Sequence, residues 1–155
     1  QDLGVPAPTP QPQVQPTAMS NYTPQQTQEQ QGFIEQYLPI AQQIEQQYGI
    51  PAELTLAQAA HETGWGSSYQ AKQMNNFFGM NAIDVNPGAA YSYASPEQSF
   101  QGYGRLISQN PRYQQAYAQR EDPYAILRGI KAAGYATDPY YVDKVSNIMQ
   151  IIEQQ

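Results

Sequence analysis

Prolines punctuate this chain in a way that few folds accommodate. Ile50-Pro51, Ser95-Pro96, Asp122-Pro123 and Asp138-Pro139 each precede a run of apolar residues at helical spacing. Proline has no N–H and a fixed φ, which suits the first turn of a helix and disrupts a helix interior or a central strand. Ser95 with Gln98 three residues on reads as a capping box around Pro96. Asp122 and Asp138 read as caps of two later helices, the first of them stopping at Gly134. Between the breaks the apolar positions repeat with helical period. Phe33, Tyr37, Ile40, Ala41, Ile44 and Tyr48 form one face ending at Gly49, and Pro39 within it predicts a kink or a division. A second helix opens at Pro51, carries Leu54, Leu56, Ala57, Ala59 and Ala60, and runs out at Gly64. Ser67 is positioned to cap a short helix through Lys72. Phe100, Tyr103, Leu106 and Ile107 mark a further helix, and Val142, Val145, Ile148, Met149 and Ile152 mark the last. The expectation is a mainly α bundle of about six helices.

Two stretches do not follow this grammar. Asn75 to Ala94 lacks helical character: Asn86-Pro87-Gly88 marks a turn, and Tyr91-Ser92-Tyr93 is compatible with a short strand, so an irregular or hairpin-like insertion is expected there. Residues 1–31 are dominated by Pro, Gln and Thr, with isolated apolar side chains. Such a segment buries too little surface to offset its ordering entropy and reads as a linker, either a tether to something larger or a remnant without function. Residues 32–155 are then the folded domain. A chain that starts at Gln1 is expected to be processed or trimmed, with any export signal lost from view.

Charge and composition exclude several classes of function. Seven Lys and Arg against thirteen Asp and Glu give a net charge of -6, the wrong sign for binding nucleic acid or an anionic surface. There are no cysteines, so disulfides, zinc-thiolate sites and cysteine nucleophiles are ruled out. No apolar run approaches the ~20 residues that span a bilayer, and no cofactor motif is present. The single His, His61, precedes Glu62, but an H-E-x-x-H zinc helix needs a second His where Trp65 stands. No G-x-S-x-G elbow exists to present a serine to His61, which is better suited to packing or hydrogen bonding than to catalysis.

Chemistry concentrates in Ala59-Ala-His-Glu-Thr-Gly-Trp-Gly66. Glu62 falls in the last turn of its helix, where the negative end of the dipole disfavours a carboxylate and raises its pKa. Trp65, on a loop freed by Gly64 and Gly66, is placed to lie against the carboxyl group and push the pKa the same way. A carboxylic acid kept protonated near neutral pH is what a glycosidase needs to protonate a departing oxygen. Spacing alone equally allows an exposed Glu at a fraying helix end.

The segments LTLAQAAHETGWGSS, NNFFGMNA and GYATDPYYVDKV, in this order, resemble the glucosaminidase family of peptidoglycan hydrolases, glycoside hydrolase family 73. The resemblance covers roughly residues 33 to 153. It implies a lysozyme-like α fold and hydrolysis of the β-1,4 bond after N-acetylglucosamine in peptidoglycan. It also implies that Glu62 is the catalytic acid, that Asn76, Phe78 and Gly79 belong to a turn lining the cleft, and that Tyr135 stands beside the reacting sugar. Longer members of the family carry a β-rich lobe with a second acid after that turn. Here the lobe is reduced to about fifteen residues, and its one acid is Asp84. Either Asp84 is the second carboxylate, or a water held by groups such as Tyr135, or the substrate's own 2-acetamido group, takes that part. Trp65, Tyr91, Tyr93 and Tyr103 are candidate groove residues because aromatic rings stack on sugar faces while their polar tips hydrogen-bond.

Three functions remain open at this level. The first is an N-acetylglucosaminidase acting on peptidoglycan glycan strands. The second is the same fold cutting after N-acetylmuramic acid, as a lysozyme or lytic transglycosylase does. The third is a wall-binding or assembly module with catalysis weak or lost. Each places the chain outside the cytoplasm, in periplasm, wall, medium or phage particle, with the Pro/Gln tail attached to a larger assembly. Neither metal nor organic cofactor is expected.

Overall fold

Thr27 opens the first helix, several residues before the composition changes. Its hydroxyl accepts from Gln30 N–H at 3.1 Å, and the Gln30 side chain accepts from Thr27 N–H at 3.0 Å, a complete capping box. The computed structural model describes residues 26–79 and 92–154. Residues 1–25, Asp84, the Asn86–Gly88 turn and Tyr91 lie outside that range. Helix α1, Gln28–Tyr48, therefore begins inside the stretch read as the linker, 1–31. The Gln26 amide reinforces it by donating to the Ile151 carbonyl, 2.8 Å away.

Pro39 does not divide α1, which continues as one helix past it. The residue is exposed, so the carbonyl deprived of its N–H partner sits on the face that water reaches. Gly49 ends α1 in the left-handed region, φ +78°, and helix α2, Ala52–Thr63, follows Pro51.

Helix α2 is the centre of the molecule. It packs on α1, on α6 (Pro123–Ala132) and on the last helix, α7 (Tyr141–Ile152). Burial on nearly every side explains its composition, because four alanines let neighbouring helices close in from several directions. It emerges from the core only at Glu53 in its first turn and at His61 and Glu62 in its last.

Helix α3, Tyr69–Met74, is capped by Ser68, whose hydroxyl accepts from Ala71 N–H at 3.2 Å, and not by Ser67. Ser67 instead donates its hydroxyl to the Gly64 carbonyl at 2.8 Å, closing the preceding turn. Helix α4, Pro96–Gln109, starts as its punctuation implies, with Ser95 accepting from Gln98 N–H. Gln98 reaches back to the Ala94 N–H, one residue short of a full box. A 3-10 turn, Pro111–Tyr113, and a single turn of helix, α5 (Gln114–Tyr117), then lead to α6, which Asp122 caps through Tyr124 and Ala125 N–H. Among the described residues there are thus the six expected helices plus the short α5, and no strand. Tyr93 lies in irregular chain tied to the end of α3 by its N–H to Met74 O at 2.8 Å.

Asp138 does not cap the last helix. It forms a turn, accepting from Tyr140 N–H at 2.8 Å and pairing with Lys144 at 2.7 Å, and α7 begins three residues later without a side-chain cap. No described helix is long and apolar enough to cross a membrane.

Glycine permits a close approach of two helix backbones. A Cβ on Gly129 in α6 would lie 2.7 Å from Ala116 Cβ and 2.8 Å from its backbone Cα in α5. Gly129→Ala gains helix propensity of about 1 kcal/mol but forces two backbones apart, at about 1–3 kcal/mol. We expect net destabilisation, read as a lower Tm in thermal unfolding; a raised Tm would show that α5 yields freely.

Candidate active site

The site is built where α2 stops. Gly64, Trp65 and Gly66 are all left-handed, with φ of 56°, 59° and 83°. For tryptophan this conformation costs about 1–2 kcal/mol, and the surrounding hydrogen bonds hold it. Trp65 N–H donates to Ala60 O at 2.9 Å. Buried Thr63 donates its hydroxyl to Ala59 O at 2.7 Å and accepts from Gly66 N–H at 2.8 Å. The chain is turned away from the helix axis at once, leaving Glu62 at the helix end. The Trp65 ring packs edge-on to Phe33, centroids 5.6 Å apart.

What closes on Glu62 is a backbone. Gly79 approaches so nearly that a Cβ there would sit 3.1 Å from Glu62 Oε1. Gly79 has φ +64° and ends the Asn76–Gly79 turn. That turn is anchored from below by its own side chains. Asn76 is fully buried, and Phe78 stacks on Tyr103 with centroids 4.3 Å apart and planes 16° from parallel. Asn76 and Phe78 therefore direct their side chains into the core, leaving only backbone on the Glu62 side. Above the turn, the Tyr135 hydroxyl donates to the Phe78 carbonyl at 3.4 Å. Three separate stretches, Glu62, Asn76–Gly79 and Tyr135, thus meet in one place.

The electrostatics follow from this crowding. Burial raises the Glu62 carboxyl above the ordinary carboxylate range. The residue keeps substantial solvent exposure, so the rise is moderated by water. Tyr135 is held protonated, first by burial and then by the neighbouring Tyr141, Tyr103 and Glu62. His61 is pushed down by burial and by Lys144, partly opposed by Asp138, and packs edge-on to Tyr141 at 5.3 Å. It is a neutral packing residue. Among the described residues no cluster of three or more His, Asp or Glu forms a metal site.

Tyr103 does not line a groove. It is fully buried, its ring against Phe78 and its hydroxyl donating to Gln58 Oε1. The apolar period that marked it as one face of a helix was a core signal, and its polar tip is satisfied internally. Tyr93 is half-buried, and its carbonyl accepts from Asn75 Nδ2 at 3.0 Å, beside the start of the Asn76–Gly79 turn. Two residues at this place had no prior signal. Gln58 and Tyr141 meet across 83 positions of sequence, and only the position of Gln58 one turn before Glu62 hints at a shared face.

Known proteins resemble this chain in sequence and fold. Residues 38–154 match the family described as Glucosaminidase, mannosyl-glycoprotein endo-beta-N-acetylglucosaminidase. The peptidoglycan hydrolase FlgJ of Vibrio parahaemolyticus is 35% identical over 157 residues, covering 86% of this chain and 51% of the relative. This chain thus spans about half the length of that curated relative. The crystal structure of a peptidoglycan hydrolase from Sphingomonas sp. A1 superposes with a TM-score of 0.69 at 32% identity, covering 80% of this chain and 91% of that one. The glycoside hydrolase domain of Salmonella typhimurium FlgJ gives 0.67 at 27% identity, covering 81% and 89%. With residues 38–154 matching its model, this helical chain belongs to the glucosaminidase family of glycoside hydrolases.

Proposed function

We propose that the chain hydrolyses the β-1,4 bond after N-acetylglucosamine in peptidoglycan, with Glu62 as general acid. One observation carries the reading: a carboxyl raised by burial, pressed against the Gly79 backbone, with the Tyr135 hydroxyl bonded to the same turn. Glu62 donates its proton to the glycosidic oxygen as the bond breaks, and Tyr135 lies beside the sugar that develops positive charge. Trp65, Gly79 and Tyr93 border the glycan, joined by Tyr91 from outside the described residues. The named relatives, peptidoglycan hydrolases from Vibrio, Sphingomonas and Salmonella among them, support the substrate class.

Asp84 is the proposed second carboxylate. Asp84→Asn should lower turnover if Asp84 activates water; unchanged turnover with retained anomeric configuration, read by NMR of fresh products, would assign the step to the substrate's acetamido group. The enzyme would work outside the cytoplasm, where its substrate lies, with the Pro/Gln-rich segment that precedes α1 as a tether to a larger assembly.

The test is a digest of purified sacculi, reduced with borohydride and read by mass spectrometry. Reduced N-acetylglucosamine ends support the reading. Reduced muramic ends would make the chain a lysozyme, anhydro-muramic ends a transglycosylase, and binding without products a wall-binding module.

The pH dependence has a definite sign. Glu62 works protonated, and burial holds its pKa above that of an ordinary glutamate. Activity should therefore persist above the usual carboxylate range of about 4–4.5 and fall as pH rises through the elevated value. A profile of kcat/KM against pH whose descending limb lies at an ordinary carboxylate pKa would contradict burial of the acid.

A further inference from the structure

Tyr135, which bonds to the Asn76–Gly79 turn, is itself held by residues from another part of the chain. Helix α6 ends in a Schellman motif: Gly134 N–H donates to Lys131 O at 2.9 Å, and Tyr135 N–H to Ile130 O at 3.2 Å. Both N–H groups are thereby folded back onto the helix. The carbonyls of Ala133 and Gly134 have no helical partner and need donors from elsewhere. Arg112, in the 3-10 turn between α4 and α5, supplies both. Its Nε donates to Ala133 O and its Nη2 to Gly134 O, each at 2.8 Å.

A guanidinium fork suits two neighbouring carbonyls at the negative end of a helix, and lysine has no such fork. The approach is close: a Cβ on Gly134 would stand 2.7 Å from Nη2. Arg112 is fixed at its own end too, since its N–H donates to Asn110 Oδ1 at 2.9 Å. No acid pairs with it among the described residues. Its charge is directed at this backbone and at the Tyr113 ring, whose centroid lies 5.4 Å from Cζ.

Tyr113 completes the grip. It is buried, and its ring lies 6.2 Å from that of Tyr135 at 65°. Residues 112 and 113 thus hold the backbone leading into Tyr135 and its ring, respectively. At the far end of that ring the hydroxyl donates to Phe78 O, one residue before the Gly79 backbone that meets Glu62. Arg112 is exposed, so its bonds compete with water and add little to folding. What they restrict is the direction in which the chain leaves α6.

We propose that Arg112 is a positioning residue for the reaction: by holding the Ala133 and Gly134 carbonyls it fixes where the Tyr135 hydroxyl stands beside the sugar over Glu62. The proposal rests on the glycosidase reading of the cleft. It makes catalysis sensitive to a side chain whose hydrogen bonds all go to backbone.

The test measures steady-state cleavage of soluble glycan strands by the whole chain, well below Tm. The variants are Arg112→Ala, Arg112→Lys, Tyr135→Phe, and Arg112→Ala combined with Tyr135→Phe. Arg112→Ala should lower kcat about tenfold, the effect of a displacement of less than an ångström at a reacting group, with KM and Tm little changed. Arg112→Lys, which can reach one carbonyl but not both, should recover part of the loss. The double variant should be no slower than Tyr135→Phe alone, because Arg112 acts only through that hydroxyl. A purely structural arginine would lower Tm and leave kcat as it was, and that result would overturn the proposal. So would losses that multiply in the double variant, or a lysine variant no better than alanine. Tyr135→Phe at the wild-type rate would remove the hydroxyl from the reaction, and the proposal with it, while leaving Glu62 as the acid. Cleavage retained by Glu62→Gln would instead sink the general-acid reading, and the comparison of Arg112 with Tyr135 would still stand on the measured rates.

Discussion

Glu62→Gln should abolish cleavage of purified sacculi while the protein still folds and still binds them. The substitution keeps the shape of the side chain and removes the proton that the departing oxygen needs, so the loss should be at least the ~10²–10⁴-fold attributed to general acid catalysis. Folding should be unaffected or slightly improved, because the carboxyl raised by burial is replaced by a group that carries no charge at any pH. The residual rate should also lose the descending pH limb described above. Product release within tenfold of wild type would show that Glu62 only shapes the cleft, and the acid would have to be sought elsewhere.

Gly79→Ala should produce the second-largest loss, by a different route. At φ +64° an L side chain costs about 1–2 kcal/mol, and here the added methyl would also stand 3.1 Å from Glu62 Oε1. Either the turn retreats or the carboxyl does. A displacement of about an ångström at a reacting group costs on the order of 10²-fold, so kcat should fall by roughly 10- to 100-fold with KM little changed. The methyl also adds apolar surface beside the acid, so the descending pH limb should move higher still. Steady-state kinetics across pH will show both effects, and a variant with wild-type kcat would mean that Glu62 and Gly79 are not held together during turnover.

Local signals in the sequence were reliable where one residue decides the outcome by itself. Ser95-Pro96, Asp122-Pro123, Gly49 and Gly64 each place a helix end through their own φ, cap or missing N–H, and the structure has those ends. Asp138-Pro139 carries the same signature yet forms a turn, because Asp138 is engaged with Tyr140 N–H and Lys144. Thr27 carries a readable signature too, Thr-x-x-Gln, but the polar composition around it outweighed the motif. The place of Glu62 at a glycine-broken helix end was legible because that end, its glycines and a known pattern coincide within Ala60–Gly66. Its surroundings were not. The approach of Gly79 to Glu62, the turn of Tyr103 into the core and the Gln58–Tyr141 bond arise from packing between distant helices, on which a sequence period of 3.6 is silent. Tyr103 shows the limit well: an aromatic with a hydroxyl fits a sugar groove or a core equally, and only the position of α4 decides.

The Gln26–Ile151 hydrogen bond brings the first described residues beside the end of α7. The two ends of the described domain are therefore neighbours, and whatever is joined to either one attaches on the same side. A pull along the preceding segment would enter at the last turn of α7, while Tyr141 is at its first, about 15 Å away along the helix. Load entering at that point would have to travel the length of α7 to reach the turn that carries Tyr141.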